Sequence, residues 1–201
     1  GFLRPGGYAE YVSVPARNLI PFSENLKFVE WASIPLVFIT AWHMLVKHGR
    51  LAKGEIVLIQ GAGSGVGSAA IQIAKHFSAT VITTASDDRK LDLAKKLGAD
   101  YVINYQRSRT SDEVRRITSG SGVDLVIDHI GQNSWDQSLA SLRKRGRLVI
   151  CGATTGGDVK FNLRYLFSRQ LQITGSYMGG KPAFLEIIKL VESGTLKPVV
   201  D

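Results

Sequence analysis

The chain has 201 residues, 44% of them apolar and 21% charged, with a net charge of +8. That is the bulk profile of a soluble globular chain with room for one full domain and part of another. No apolar run reaches the length of a membrane span and no secretory leader opens the chain, so the cytoplasm is the expected compartment and a membrane is not an expected partner. The single cysteine, Cys151, excludes an internal disulfide and a cysteine-clustered structural zinc.

A basic balance admits nucleic acid, a membrane surface or a phosphorylated ligand. The cations are dispersed, however, with small clusters at Arg107/Arg109, Arg115/Arg116 and Arg143 to Arg147, where loops and helix ends are expected. They read as solvated surface rather than a nucleic-acid patch.

Gly1 to Pro21 stands apart from the remainder of the chain. Gly6-Gly7 precedes Tyr8 to Val14, which reads as a strand closed by Pro15. The chain opens in mid-pattern without a methionine, as a piece of a longer protein would. Leu26 to His48 reads as helix in two pieces: Ser23 or Asn25 can cap the first, Pro35 breaks or restarts it, and Gly49 stands where a C-terminal cap belongs. His43 and His48 lie five apart and are expected on different faces.

Glu55 to Phe77 organises the rest. Ile56 to Ile59 form an unbroken apolar run, the pattern of a strand buried on both faces. A turn with Gly61, Gly63, Gly65 and Gly67 comes next, and then Val66, Ala69, Ala70, Ile73 and Phe77 repeat at helical spacing. Strand, glycine turn and helix together form the context of a dinucleotide site, where small residues let the backbone approach a pyrophosphate and the helix N-terminus supplies N–H groups. The common G-x-G-x-x-G fails here, ending on Val66 when counted from Gly61 and on Ser68 when counted from Gly63. The relaxed form Ala62-x-Ser64-x-x-Gly67 fits.

Beyond this unit strand and helix alternate. Strands are predicted near 56–60, 80–84, 101–103, 124–128, 148–151 and 171–174. Helices are predicted near 65–77, 87–97, 112–118, 135–142, 163–167 and 182–193, the last with Pro182 in its first turn and Gly194 past its end. The expected fold class is α/β: a doubly wound, six-stranded parallel Rossmann sheet in the order 3-2-1-4-5-6, with helices on both faces.

Six segments in order, G-G-Y-A-E-Y-V at 6–12, P-L-V-F-I-T-A-W-H at 35–43, G-A-G-S-G-V-G-S-A-A-I-Q-I-A-K at 61–75, L-A-K-K-L-G-A-D-Y-V-I-N-Y at 93–105, G-V-D-L-V-I-D-H-I-G at 122–131 and C-G-A-T-T-G at 151–156, resemble the medium-chain dehydrogenase/reductase superfamily, in particular its zinc-type alcohol dehydrogenase and quinone-oxidoreductase-like branch. The resemblance implies a missing catalytic domain built on a GroES-like barrel, of which residues 1–21 are the remnant and 22–201 the NAD(P)-binding domain with its leading helices. It places most zinc ligands and substrate contacts in that absent part, so no catalytic residue is assigned here. Where zinc-dependent relatives have a cysteine ligand after the Pro35 turn, this chain has Leu36, and no zinc is expected.

The same resemblance supplies the cofactor contacts. Gly63, Ser64, Gly65, Val66 and Gly67 form the pyrophosphate turn. Thr40 and Val66 flank the nicotinamide, Ile130 lies beside it, and Gly152, Ala153 and Thr174 offer backbone groups to its carboxamide. Aligned on the helix, Ala85 occupies the position where NAD enzymes carry a ribose-binding acid. Relatives that use NADP place a lysine at the Lys90 position and a tyrosine at the Tyr105 position against the 2′-phosphate, and Ser86 adds a hydroxyl. NADP(H) is therefore favoured over NAD(H), although Ser86 could serve only as a helix cap and spacing alone could promote Asp87 to the ribose acid. His129 follows Asp128 at a strand end near the cofactor, but adjacent strand residues face opposite ways. Cys151 reads as a small buried group rather than a nucleophile.

The sequence leaves two function classes. One is the cofactor domain of an NADP(H)-dependent oxidoreductase moving hydride to or from an alcohol, carbonyl or quinone, inactive as an isolated piece. The other is a non-catalytic nucleotide- or RNA-binding module, with the charge as its support. The resemblance also implies a homodimer joined through the sixth strand, at 171–174.

Overall fold

The structure, a computed structural model, describes residues 7–200. Six parallel strands lie in the order β3-β2-β1-β4-β5-β6: β1 (Ile56–Ile59), β2 (Thr80–Ala85), β3 (Tyr101–Asn104), β4 (Val123–Asp128), β5 (Leu142–Ile150) and β6 (Gln172–Gly175). The expected sheet is present, and the reason is visible in its residues. Strand side chains alternate between faces, and here both faces are apolar and covered. Val57, Ile59, Val81, Leu125, Ile127 and Val149 join one core, while Leu58, Ile82, Val126 and Leu148 join the other.

Among the described residues, eight α-helices complete the layers: α1 (Phe28–Ala32), α2 (Pro35–Trp42), α3 (Gly65–His76), α4 (Asp88–Lys96), α5 (Thr110–Ile117), α6 (Trp135–Ser141), α7 (Leu163–Arg169) and α8 (Lys181–Glu192). The first core is filled from α2, α3 and α8, with Phe38, Ile71, Ile73 and Ile187 buried. Val114 of α5 and Trp135 and Leu139 of α6 fill the second. Proline in the first turn of α8 and Gly194 at φ +74° beyond its end match the expected helix boundaries.

Several local expectations fail for physical reasons. Residues 8–14 form no strand, because a strand needs a partner for its backbone groups and among the described residues none lies alongside; Tyr8 and Tyr11 are exposed. Gly1–Gly6 lie outside the described residues. Neither Ser23 nor Asn25 caps the first helix. Ser23 instead donates to Asn25 Oδ1, and the α1 start is closed by Glu30, whose Oε2 accepts from the Lys27 N–H at 2.8 Å. Ser86 is not the α4 cap either, since Asp87 fills that place and accepts from the Lys90 N–H. β5 begins at Leu142 rather than at 148, pairing with Val123 before a bulge that Arg145, at φ +64°, helps to form.

The sequence places His43 and His48 on different faces, and the structure puts them together. After α2 the chain makes a π-helical turn, His43–His48, closed by Gly49 N–H donating to the Met44 carbonyl at 2.7 Å. Wider turns align residues five apart, so the two imidazoles meet edge to face with centroids 4.8 Å apart. Gly49 ends this turn at φ −69°, so its lack of a side chain serves close packing rather than a left-handed cap. A Cβ there would stand 2.6 Å from the Met44 oxygen and 2.9 Å from Leu125 Cδ2.

Candidate functional site

The carboxyl ends of β1 and β4 are neighbours, yet the chain leaves them toward opposite faces of the sheet. This is the switch point where open α/β sheets bind ligands. The glycine turn stands there. Ser64 caps α3 by accepting from the Gly67 N–H at 2.9 Å and also donates to the Gly61 carbonyl at 2.9 Å. The N–H groups of Gly65 and Val66, in the first turn of α3, have no acceptor within the helix, and with the helix dipole they suit an anion.

Each glycine has its own reason. A Cβ on Gly67 would run into the Gly61 carbonyl, on Gly65 it would stand 2.7 Å from Val37 Cγ1, and on Gly63 it would stand 2.6 Å from Lys90 Cδ. The aliphatic stem of Lys90 therefore lies against the turn. Its Nζ pairs with Asp87 Oδ2 at 3.0 Å, and Ser86 Oγ donates to the same carboxylate at 3.1 Å. The Lys90 N–H and then its ammonium hold the Asp87 carboxyl below the usual carboxylate range. Ala85, at the end of β2, is buried.

Beside the turn opens a cleft of about 600 Å³, with Gln60 at the end of β1, Ile130 after β4, Tyr105 and Arg107 after β3, and Asn133 and Thr155 on its walls. A directional chain of hydrogen bonds runs beneath it. The Gly61 N–H donates to Thr84 Oγ1 at 3.1 Å, and Thr84 donates to Gln60 Oε1 at 2.8 Å. Gln60 Nε2 donates to Ser138 Oγ at 3.0 Å, and Ser138 donates to Asp128 Oδ2 at 2.6 Å. Asp128, 1% exposed, also accepts from Ser134 and from the N–H groups of Ile130 and Gly131. The glycine turn and the loop after β4 are thus tied together by polar atoms rather than by contact alone.

His129 turns away from Asp128 and covers Gly61, its Nε2 standing 3.1 Å from where a Cβ would be. Its buried Nδ1 has no partner, and burial pushes the imidazole below its ordinary range despite the neighbouring Asp128. Burial first, and Asp128 second, push the Cys151 thiol up to about 11, so it stays protonated near neutrality and is a poor nucleophile.

The structure brings Gly63 to Gly67, Ser86 and Lys90 into one neighbourhood, and Tyr105 and Ile130 into one cleft. Gly152 and Ala153 lie against the loop after β4: a Cβ on Gly152 would be 3.0 Å from the His129 carbonyl, and one on Gly131 would be 2.8 Å from Ala153 Cα. Thr40 is buried on α2, near the start of α3 through Val37. Thr174 pairs with Val149 on the edge strand, three strands from β1. Sequence reasoning missed Gln60 and Arg107. A polar residue closing an apolar strand run just before the glycines was the signal for the first; an arginine two places beyond Tyr105 was a weaker one for the second.

Residues 65–193 match the model of the family described as zinc-binding dehydrogenase. An NAD-dependent alcohol dehydrogenase of Sulfurisphaera tokodaii is 37% identical over 200 residues, covering 97% of this chain and 56% of that protein. A zinc-type alcohol dehydrogenase-like protein of Schizosaccharomyces pombe is 33% identical over 208 residues, covering 100% of this chain and 60% of that protein. The crystal structure of an NAD-dependent alcohol dehydrogenase superposes with a TM-score of 0.94 at 46% identity, covering 98% of this chain and 57% of the other. The chain thus spans little more than half the length of these relatives.

The residues present do not fit the zinc of the family's description. Among the described residues no three His, Cys, Asp or Glu side chains gather as a metal site, and Leu36, 60% exposed on α2, has no donor atom. The glycine turn fits a dinucleotide, since it is bare where a Cβ would obstruct and offers N–H groups toward an anion. By sequence, fold and turn the chain belongs to the zinc-binding dehydrogenases of the medium-chain dehydrogenase/reductase superfamily, whose cofactor-binding domain it carries.

Proposed function

We propose that the chain is the NADP(H)-binding part of an oxidoreductase that moves hydride to or from an alcohol, carbonyl or quinone. Bound nicotinamide would supply or take up the hydride. The chain's own part is to hold the pyrophosphate on Gly65 and Val66, keep the cofactor oriented and shield it. One observation carries the cofactor choice: β2 ends on buried Ala85, whose carbonyl accepts from the Tyr105 N–H at 3.2 Å, while Ser86 and Lys90 both engage Asp87 two residues on. A 2′-phosphate is served by a cation and hydroxyls, whereas a bare ribose is served by an acid at the strand end. A second reading, NAD(H), is favoured by the Asp87 carboxylate beside that position and by the relatives named NAD-dependent. On the first reading Lys90 neutralises Asp87. Calorimetric titration distinguishes the two: NADPH is expected to bind about tenfold or more tighter than NADH, and equal or reversed affinities would overturn the assignment.

We further infer that residues 1–21 belong to a separate catalytic domain, that this part holds no zinc, and that it binds cofactor without turnover by itself. The apolar cleft of about 720 Å³ lined by Phe22, Phe28, Trp31, Pro35, Ile39 and Phe184 supports a face made to meet another domain. A homodimer through β6 completes the proposal. An RNA-binding role is less well supported, because basic clusters are answered by acids: Arg116 by Glu113, Arg143 by Asp124 and Arg147 by Glu55.

A further inference from the structure

The end of β2 carries a second ion pair. Arg107, in the turn after β3, forks onto Asp88, its two terminal nitrogens donating to Oδ1 and Oδ2 at 3.0 and 2.8 Å. Asp88 opens α4 directly after Asp87, which holds Lys90. Two acids and two cations therefore follow the end of β2, and one of them, Arg107, lines the cleft. Both pairs are exposed, with side-chain accessibilities of 49% and 46% for Lys90 and Asp87, and 68% and 61% for Arg107 and Asp88. Exposed pairs of this kind are weak because water screens them, so a stronger anion can take either cation. The Arg107 side chain already lines the cleft together with Tyr105 and Ile130. Its planar fork, which now matches a carboxylate, matches a phosphate monoester equally well.

We propose that Arg107 is a specificity-determining residue for 2′-phosphorylated dinucleotides: its guanidinium leaves Asp88 for the 2′-phosphate, and Asp88 acts as the internal competitor that aims the fork and limits the preference. The inference rests on the NADP(H) reading and adds to it a second cation and a built-in rival. It also explains how a site with acids at two successive positions can accept a dianion, since each acid is already engaged by the cation that the phosphate would recruit.

The test is titration of NADPH, NADH and adenosine 2′,5′-bisphosphate against the 201-residue chain and its Arg107→Ala, Arg107→Lys, Asp88→Asn and Lys90→Ala variants. Arg107→Ala is expected to weaken NADPH and the bisphosphate about tenfold, the worth of a charge-assisted hydrogen bond, and to leave NADH within about twofold. Arg107→Lys, which keeps the charge and loses the fork, should fall between. Asp88→Asn should tighten NADPH, and the salt dependence of NADPH binding should be shallower in Arg107→Ala. Arg107→Ala leaving NADPH unchanged while Lys90→Ala weakens it would sink this inference and spare the cofactor assignment. Equal losses for NADPH and NADH would also sink it, by showing a structural role. An unmodified chain that binds NADH as tightly as NADPH would overturn the assignment itself, and this inference with it.

Discussion

Gly63 and Gly67 lie four residues apart in one turn and answer to different neighbours. At Gly67 the obstacle to a Cβ is backbone, the Gly61 carbonyl, which cannot swing aside. Gly67→Ala should therefore push α3 away from β1, at a cost of about 1–3 kcal/mol for forced overpacking, and bind either cofactor poorly. At Gly63 the obstacle is the flexible stem of Lys90. Gly63→Ala should cost under about 0.5 kcal/mol, yet move the ammonium and so weaken NADPH more than NADH. Chemical denaturation and parallel titrations of the two variants test this contrast, and equal stability losses would contradict it. The residue scale also shows where a sequence can be read and where it cannot. The need for small residues at 61–67 is legible because a tight turn has few alternatives. That Lys90 lies over Gly63, or that Asp87 rather than Ser86 caps α4, depends on side-chain positions that no spacing rule fixes.

Elements with strong periodicity were legible nearly to the residue. β1 and α3 differ from expectation by a single terminal residue each, because an unbroken apolar run and a helical repeat have one good solution when both faces of a sheet must be covered. The π-helical turn was not legible. The turn packs Gly49 against Met44 and Leu125, a tertiary fit that would leave no room for a Cβ, and the widened turn brings His43 and His48 together. Nor was the strand expected at 8–14 real, since a strand-like composition is no substitute for a pairing partner. The polar chain from Thr84 through Gln60 and Ser138 to Asp128 belongs to this scale as well, because it joins β2, β1, α6 and β4. Ser138 is fully buried at its centre. Ser138→Ala leaves the Gln60 amide without its acceptor and Asp128 without one of its donors, a loss of about 1–3 kcal/mol. Urea unfolding should show a lower midpoint at unchanged slope. A loss below about 0.5 kcal/mol would mean that the chain of bonds does not hold these four elements.

At the scale of the whole molecule, β6 is one of the two edges of the sheet, four residues long and carrying no charge along Gln172 to Gly175. Natural edges are blunted by charge, proline or cover because their unpaired backbone groups invite another strand. In a parallel pair alternate residues bond to one neighbour. Ser176 donates its N–H to the Ile150 carbonyl of β5 at 2.7 Å, so by alternation Thr174 and Gln172 also face β5, while Ile173 and Gly175 turn their backbone groups outward. A second copy brought alongside about a two-fold axis would pair β6 with β6 and continue the sheet across both chains, an isologous contact that closes at two. Sedimentation velocity over a rising concentration series is expected to show a monomer–dimer equilibrium. Ile173→Pro removes an outward donor and leaves the bonds to β5 in place, so it should shift that equilibrium to monomer with cofactor affinity unchanged. The unmodified chain remaining monomeric at high concentration would refute pairing through β6. Dimerisation that persists in Ile173→Pro would instead place the contact elsewhere, with the apolar cleft around Phe22 and Phe28 the next face to examine.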